Sequence, residues 1–215
     1  MPQLRGFDCT TPDGADVHSI DDYANDVADL MQTLELDRAV IGGLSLGGYV
    51  AFALYRQAPA LFQALILADT RAEADSGEAR ASRTRLIDVV RSRGAAAVAD
   101  EMVPKLLGAT SQSARPELVE RVRSLIASHQ AGAIEGALTA MMARPDSTPL
   151  LPAIAVPALV VVGEEDVLTP PALSTAMVER LPNAELVVVP QAGHLANLEQ
   201  PDAFNAALLR FLERL

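Results

Sequence analysis

Cysteine, aromatic residues and positive charge are all scarce in this chain, and each scarcity removes a class of function. A single cysteine, Cys9, among 215 residues leaves no internal disulfide to make, which suits a reducing compartment and the expectation of a cytoplasmic protein. As a lone loop thiol, Cys9 reads as inert. Aromatic residues make up 4% of a chain that is half hydrophobic, so the core is built from Ala, Leu and Val, in a globular and not a disordered composition. Lys and Arg number 17 against 28 Asp and Glu, a formal net charge of −11. With no basic cluster to displace counterions from a phosphate backbone, the balance argues against nucleic acid as a partner. No apolar run approaches the roughly 18 residues of a membrane span, and the stretch Met1-Pro2-Gln3-Leu4-Arg5-Gly6 has no apolar core of signal-peptide length. The expectation is a soluble, unexported protein with no membrane partner. His18 and His129 have no companions at ligand spacing and read as solvated surface residues, so no metal and no cofactor are expected.

Against these absences stands one concentrated motif. Ala39-Val40-Ile41 is a short apolar run, Gly42-Gly43-Leu44-Ser45-Leu46-Gly47-Gly48 follows, and Tyr49 to Tyr55 continues at helical spacing until Pro59. Strand, tight turn and helix are thereby expected in succession, with Ser45 on the turn. A serine on so sharp a turn crowds its neighbours two residues away on either side, and glycine at 43 and 47 is expected to remove both clashes. Oγ of Ser45 is then exposed at a helix N-terminus. There a base could take its proton, and the N–H of Leu46 could donate to a developing oxyanion.

In chain order, residues 1 to 18 are turn-rich, with Thr10-Thr11-Pro12-Asp13-Gly14, and read as a loop. Ser19 with Asp22 resembles a capping box, and Tyr23, Val27, Leu30, Met31 and Leu34 repeat at helical spacing, predicting a helix from about Ile20 to Leu36. Continuous apolar runs return at Ala64 to Ala68, Pro157 to Gly163 and Ala184 to Pro190, as expected of parallel strands covered on both faces. Helical segments follow at Pro171 to Leu181 and Pro201 to Leu215. The fold class is therefore α/β, a mostly parallel sheet with flanking helices. Residues 71 to 152 interrupt the alternation. Arg83 to Arg93, Ala95 to Leu107 and Pro116 to Gln130 are amphipathic, so this stretch reads as a helical cap inserted into a core formed by residues 1 to 70 and 153 to 215. Met102, Leu106, Met141 and Met142 could line an apolar pocket there, although plain core is the commoner use of such residues.

Functional residues of a parallel sheet belong just after its strands. Ser45 follows the first run, Asp166 the third and His194 the fourth. A serine, an acid and a histidine so placed compose a nucleophile, an orienting acid and a base. Asp69, at the end of the second run, is the competing acid. Asp166 is preferred because its loop immediately precedes the histidine-bearing unit.

Four stretches carry a family likeness: Leu4-Arg5-Gly6-Phe7, Gly43 to Gly48, Gly163-Glu164-Glu165-Asp166 with Thr169-Pro170, and Gly193-His194 followed by Leu198-Glu199-Gln200-Pro201. Together they resemble the α/β-hydrolase fold superfamily, within it the capped esterase and lactonase group that includes 3-oxoadipate enol-lactonase. The resemblance implies a serine hydrolase of small carboxylic esters or lactones, with Ser45, His194 and Asp166 as triad and Leu46 N–H as oxyanion donor. A C–C bond hydrolase or an acyltransferase using the same triad is the alternative, and a non-catalytic remnant is a third reading. Serine at position 45 separates the chain from the dehalogenase and epoxide-hydrolase relatives, which carry aspartate at the elbow. Asp8, Cys9 and Thr10 depart from the glycine and nearby serine usual after Leu-Arg-Gly-Phe. In the family that segment follows several strands, whereas here it opens the sequence. The resemblance thus implies that the first strands and an oxyanion loop are absent, that the edge beside Ala39 to Gly42 is unpaired and open to self-association, and that Ser45 turns over slowly.

Overall fold

A computed structural model describes residues 3–7 and 19–215; the turn at 10–14, Cys9 and His18 lie outside the described residues. The first helix, α1 (Ile20–Thr33), opens with the expected capping box, Ser19 and Asp22 each bonding the other's backbone N–H. It closes a turn earlier than its apolar spacing suggests. Glu35 adopts φ 54°, Leu36 N–H reaches Met31 O at 2.9 Å and Glu35 N–H reaches Gln32 O at 3.0 Å. This is the paired 6→1 and 5→2 bonding that ends helices on a left-handed residue, here without the glycine that would have announced it.

Strands β1 (Ala39–Leu44), β2 (Phe62–Ala68), β3 (Ala158–Gly163) and β4 (Ala184–Val189) form a single sheet in that order. All three pairings are parallel. The side-chain period of two explains why these runs are apolar throughout. Leu65 and Leu67 of β2, with Ala158 and Val160 of β3, enter one core beneath α1, α2 (Leu46–Gln57) and Met177 of the later helix at Pro171–Val178. Ala64, Ala68, Leu159 and Val161 enter the opposite core, against Phe204 and Phe211 of the helix at Pro201–Leu212. Among the described residues β1 pairs only with β2 and is therefore an edge strand.

Between β2 and β3 the chain makes five α-helices: α3 (Gly77–Arg93), α4 (Ala95–Leu106), α5 (Ala109–Ala114), α6 (Pro116–Ala127) and α7 (Ala131–Ala143). The two that periodicity did not show have physical reasons for being silent. The sequence of α5 is six small or polar residues, and α7 is apolar almost all round, so neither carries a one-sided stripe. Leu86, Ile87, Val90, Val98 and Leu138 knit α3, α4 and α7 together, with Met102, Met141 and Met142 packed against them. Ala99, Val103, Leu107, Leu118 and Val122 form a second cluster between α4 and α6, with Leu106 against it. The methionines thus serve as core here.

The base of this helical segment is pinned by ions. Asp75, its side chain fully buried, lies 2.6 Å from Arg83 Nε and 2.7 Å from Arg144 Nη1. Arg144 also stacks 3.9 Å over the ring of Tyr49 on α2. The remaining helices are α8 (Pro171–Val178), α9 (Ala196–Glu199) and α10 (Pro201–Leu212). His129 is not a free surface side chain, because its ring meets Phe7 edge-on at 5.0 Å. Among the described residues no helix is long and apolar enough to cross a membrane.

Candidate active site

The β1–α2 junction is held as a strained turn. Ser45 sits at φ 51°, ψ −111°, a region a non-glycine residue occupies only where its surroundings enforce it. Ser45 N–H donates to Ala68 O at 2.9 Å, and the Thr70 hydroxyl donates to Ser45 O at 2.8 Å, so the end of β2 and the loop just after it supply the two restraints.

The glycines divide their labour differently from the expectation. A Cβ on Gly43 would lie 2.0 Å from the backbone of Gly47, whereas a Cβ on Gly47 would meet nothing within 4 Å. The second steric glycine is Gly48, whose Cβ would fall 2.4 Å from Thr70 Oγ1. The clash lies between the elbow and the neighbouring strand's exit, which local spacing does not contain.

Three strand ends then meet. His194 Nε2 stands 2.8 Å from Ser45 Oγ, and His194 Nδ1 stands 2.8 Å from Asp166 Oδ2. Ser45 and His194 are 149 residues apart in the chain. His194 and Asp166 are each 3% exposed, so the Nδ1 contact is shielded from competing water. Asp166 is both turn former and partner of the histidine. Its Oδ1 accepts the N–H groups of Leu168 and Thr169 at 2.8 and 2.9 Å, while Oδ2 takes the Thr169 hydroxyl at 2.6 Å as well as His194. Burial pushes its carboxyl up, but the bonds from His194 and Thr169 outweigh that and hold it below the ordinary carboxylate range. Leu46 opens α2, so its N–H has no acceptor within the helix.

Asp69, the competing acid, does not touch the histidine. Fully buried at φ 44°, it accepts Gly163 N–H at 2.8 Å and Ala196 N–H at 3.3 Å, bracing the two loops that carry Asp166 and His194. Burial pushes its carboxyl up to about 8, with the bond from Gly163 opposing. Among the described residues no group of three or more His, Cys, Asp or Glu side chains is placed to hold a metal ion.

The chain is similar to known proteins over nearly its whole length. A family model described as the alpha/beta hydrolase fold matches residues 1–201. The chain belongs to the α/β hydrolase fold family. It is 30% identical over 205 residues to 3-oxoadipate enol-lactonase 2 of Acinetobacter baylyi, an alignment covering 95% of this chain and 74% of that one. A malate-bound thermophilic esterase from Thermogutta terrifontis superposes with a TM-score of 0.93 at 40% identity, over 99% of this chain and 78% of that structure. The enol-lactonase from Burkholderia xenovorans LB400 superposes with a TM-score of 0.87 at 28% identity, covering 98% and 78%.

Within this α/β hydrolase several residues around the site carried no assigned role in the sequence reading. Thr70 and Thr169 restrain the serine and the acid. Glu165, next to Asp166 in the chain, and Glu199, five residues after His194, bond outward to the helical segment at Thr110 and Gly108. Both lie in stretches that carry the family likeness, which attached no role to either of them.

Proposed function

We propose that this α/β hydrolase cleaves small carboxylic esters or lactones through an acyl-enzyme. The observation that carries the reading is the unbroken chain from Ser45 Oγ through both ring nitrogens of His194 to Asp166 Oδ2, with 2.8 Å at each link. In this mechanism Ser45 Oγ attacks the carbonyl carbon as its proton passes to Nε2. Asp166 keeps the other ring proton on Nδ1, which leaves the Nε2 lone pair facing the serine, and it stabilises the imidazolium that forms. The oxyanion receives a hydrogen bond from Leu46 N–H. The imidazolium then protonates the leaving alkoxide, which in a lactone stays attached to the acyl group. Water enters with His194 again as base, and the acid product leaves Ser45 regenerated.

The relatives named above support this choice of bond: one is an esterase and two are enol-lactonases. Residues 71 to 152 serve as the cap over the reacting centre, excluding water and selecting a modest acyl group. The test is covalent labelling with an active-serine phosphonate, followed by a panel of aryl esters, lactones and vinylogous diketones. Labelling of the wild type, its loss in Ser45→Ala, and ester or lactone turnover well above C–C cleavage are expected. An unlabelled, well-folded wild type, or turnover confined to the diketones, overturns the reading.

A further inference from the structure

Glu199 is 2% exposed, and its carboxylate accepts three backbone N–H groups. Oε1 accepts Gly193 N–H at 2.8 Å and Leu195 N–H at 3.3 Å, the residues on either side of His194. Oε2 accepts Gly108 N–H at 2.8 Å, from the residue that caps α5 in the helical segment. Three N–H groups converging on one buried side chain need two acceptor oxygens, which a carboxylate has and an amide does not. A glutamine would set an NH₂ donor against at least one N–H donor.

The contact is also close-packed. A Cβ on Gly108 would lie 2.8 Å from Gly193 N, a Cβ on Gly193 would lie 2.3 Å from Gly108 N, and a Cβ on Gly163 would lie 2.0 Å from Gly193 O. The helical segment, the histidine loop and the end of β3 thus touch backbone to backbone. Around this column Leu195 and Leu198 pack against the α4–α6 cluster, and Arg115 Nη1 donates to Glu199 O at 2.8 Å. The arrangement repeats on the acid side, where Glu165 Oε2 accepts Thr110 N–H at 2.9 Å. Residues 108 to 110 are therefore fastened to the chain neighbours of both Asp166 and His194, with no contact to either reacting nitrogen.

Resting on the triad reading above, we propose that Glu199 is a positioning residue for His194, and that through Gly108 the helical segment takes part in holding the base in line with Ser45. The segment then sets rate as well as access. Loosening the Gly108–Glu199–Gly193 link leaves substrate binding intact and lowers the fraction of molecules with Nε2 aimed at Oγ.

Glu199→Gln and Gly108→Ala test this with aryl acetate kinetics and the low-field proton resonance of the His194–Asp166 hydrogen bond. Both variants are expected to lose at least tenfold in kcat with KM within about twofold, the pattern of an interaction acting on the transition state alone. The low-field resonance is expected to broaden in both. Arg91→Ala, on the exposed side of α3, keeps wild-type values. Folded variants with wild-type kcat and an unchanged resonance overturn the proposal. Amide exchange in the wild type decides it without any variant: Gly108, Gly193 and Leu195 are expected to lose protection together, and independent exchange overturns it. Should the phosphonate fail to label Ser45, the triad reading falls, while the resonance and the exchange pattern still judge the link.

Discussion

Replacing Asp166 by asparagine tests the proposed mechanism at its least replaceable atom. The structure dictates how the new amide must sit. Oδ1 receives two backbone N–H groups, from Leu168 and Thr169, so the asparagine places its carbonyl oxygen there and not its NH₂. The NH₂ then occupies the Oδ2 position, 2.8 Å from His194 Nδ1. A donor facing Nδ1 selects the tautomer in which Nδ1 carries the lone pair and Nε2 carries the proton. Nε2, 2.8 Å from Ser45 Oγ, then donates to the serine where it had accepted, and the base is lost. The fold is preserved because both turn bonds survive and the Thr169 hydroxyl is free to rotate. The same substitution of a triad acid elsewhere costs roughly 10⁴-fold in kcat, or about 5 kcal/mol of transition-state stabilisation. We expect Asp166→Asn to melt within a few degrees of the wild type, to hydrolyse aryl acetates roughly 10⁴-fold more slowly, and to react with a phosphonate correspondingly slowly. Asp69→Asn, which does not face His194, should lose less than about tenfold. A folded Asp166→Asn within tenfold of wild-type turnover refutes the tautomer argument, and a larger loss in Asp69→Asn than in Asp166→Asn transfers the acid's role to Asp69.

Three further outcomes follow from distances and burial. Gly43→Ala and Gly48→Ala, whose Cβ atoms would fall 2.0 and 2.4 Å from their neighbours, should abolish or severely destabilise the folded protein. Gly47→Ala, with nothing within 4 Å, should stay within about 1 kcal/mol; equal losses in thermal melts across the three would contradict the assignment of Gly48. Asp75→Ala leaves Arg144 buried without its carboxylate and should cost about 3 to 5 kcal/mol in denaturant unfolding, with Asp75→Ala/Arg144→Met recovering much of it. The raised carboxyl of Asp69, about 8 in the folded protein against an ordinary 3.8, means that the folded state holds a proton the unfolded state has already released. Its contribution to stability is therefore full below about pH 4 and lost as pH rises through about 8. Asp69→Asn should flatten the pH dependence of the melting temperature across that window, and an unchanged profile would place the titration elsewhere.

The elements of this fold were largely legible because each rests on local chemistry. Four apolar runs, a capping box at Ser19 and the Gly-x-Ser-x-Gly turn are short-range patterns, and the order of serine, acid and histidine after successive strands is a one-dimensional fact. Helices α5 and α7 escaped because their sequences carry no one-sided apolar stripe, and the end of α1 escaped because Glu35 takes a conformation usually left to glycine. The choice of Asp166 over Asp69 could be argued from chain order, but only the register of β2, β3 and β4 turns one carboxylate toward His194 and the other toward Gly163 and Ala196. In the same way Gly48 owes its necessity to Thr70, 22 positions on, and Glu199 owes its role to Gly108, 91 positions back. Which side chain could be a nucleophile, a base or an acid was written in residue type and spacing. Which atoms meet within 3 Å depends on how separate strand ends are brought level, and that is decided by the packing of the whole sheet.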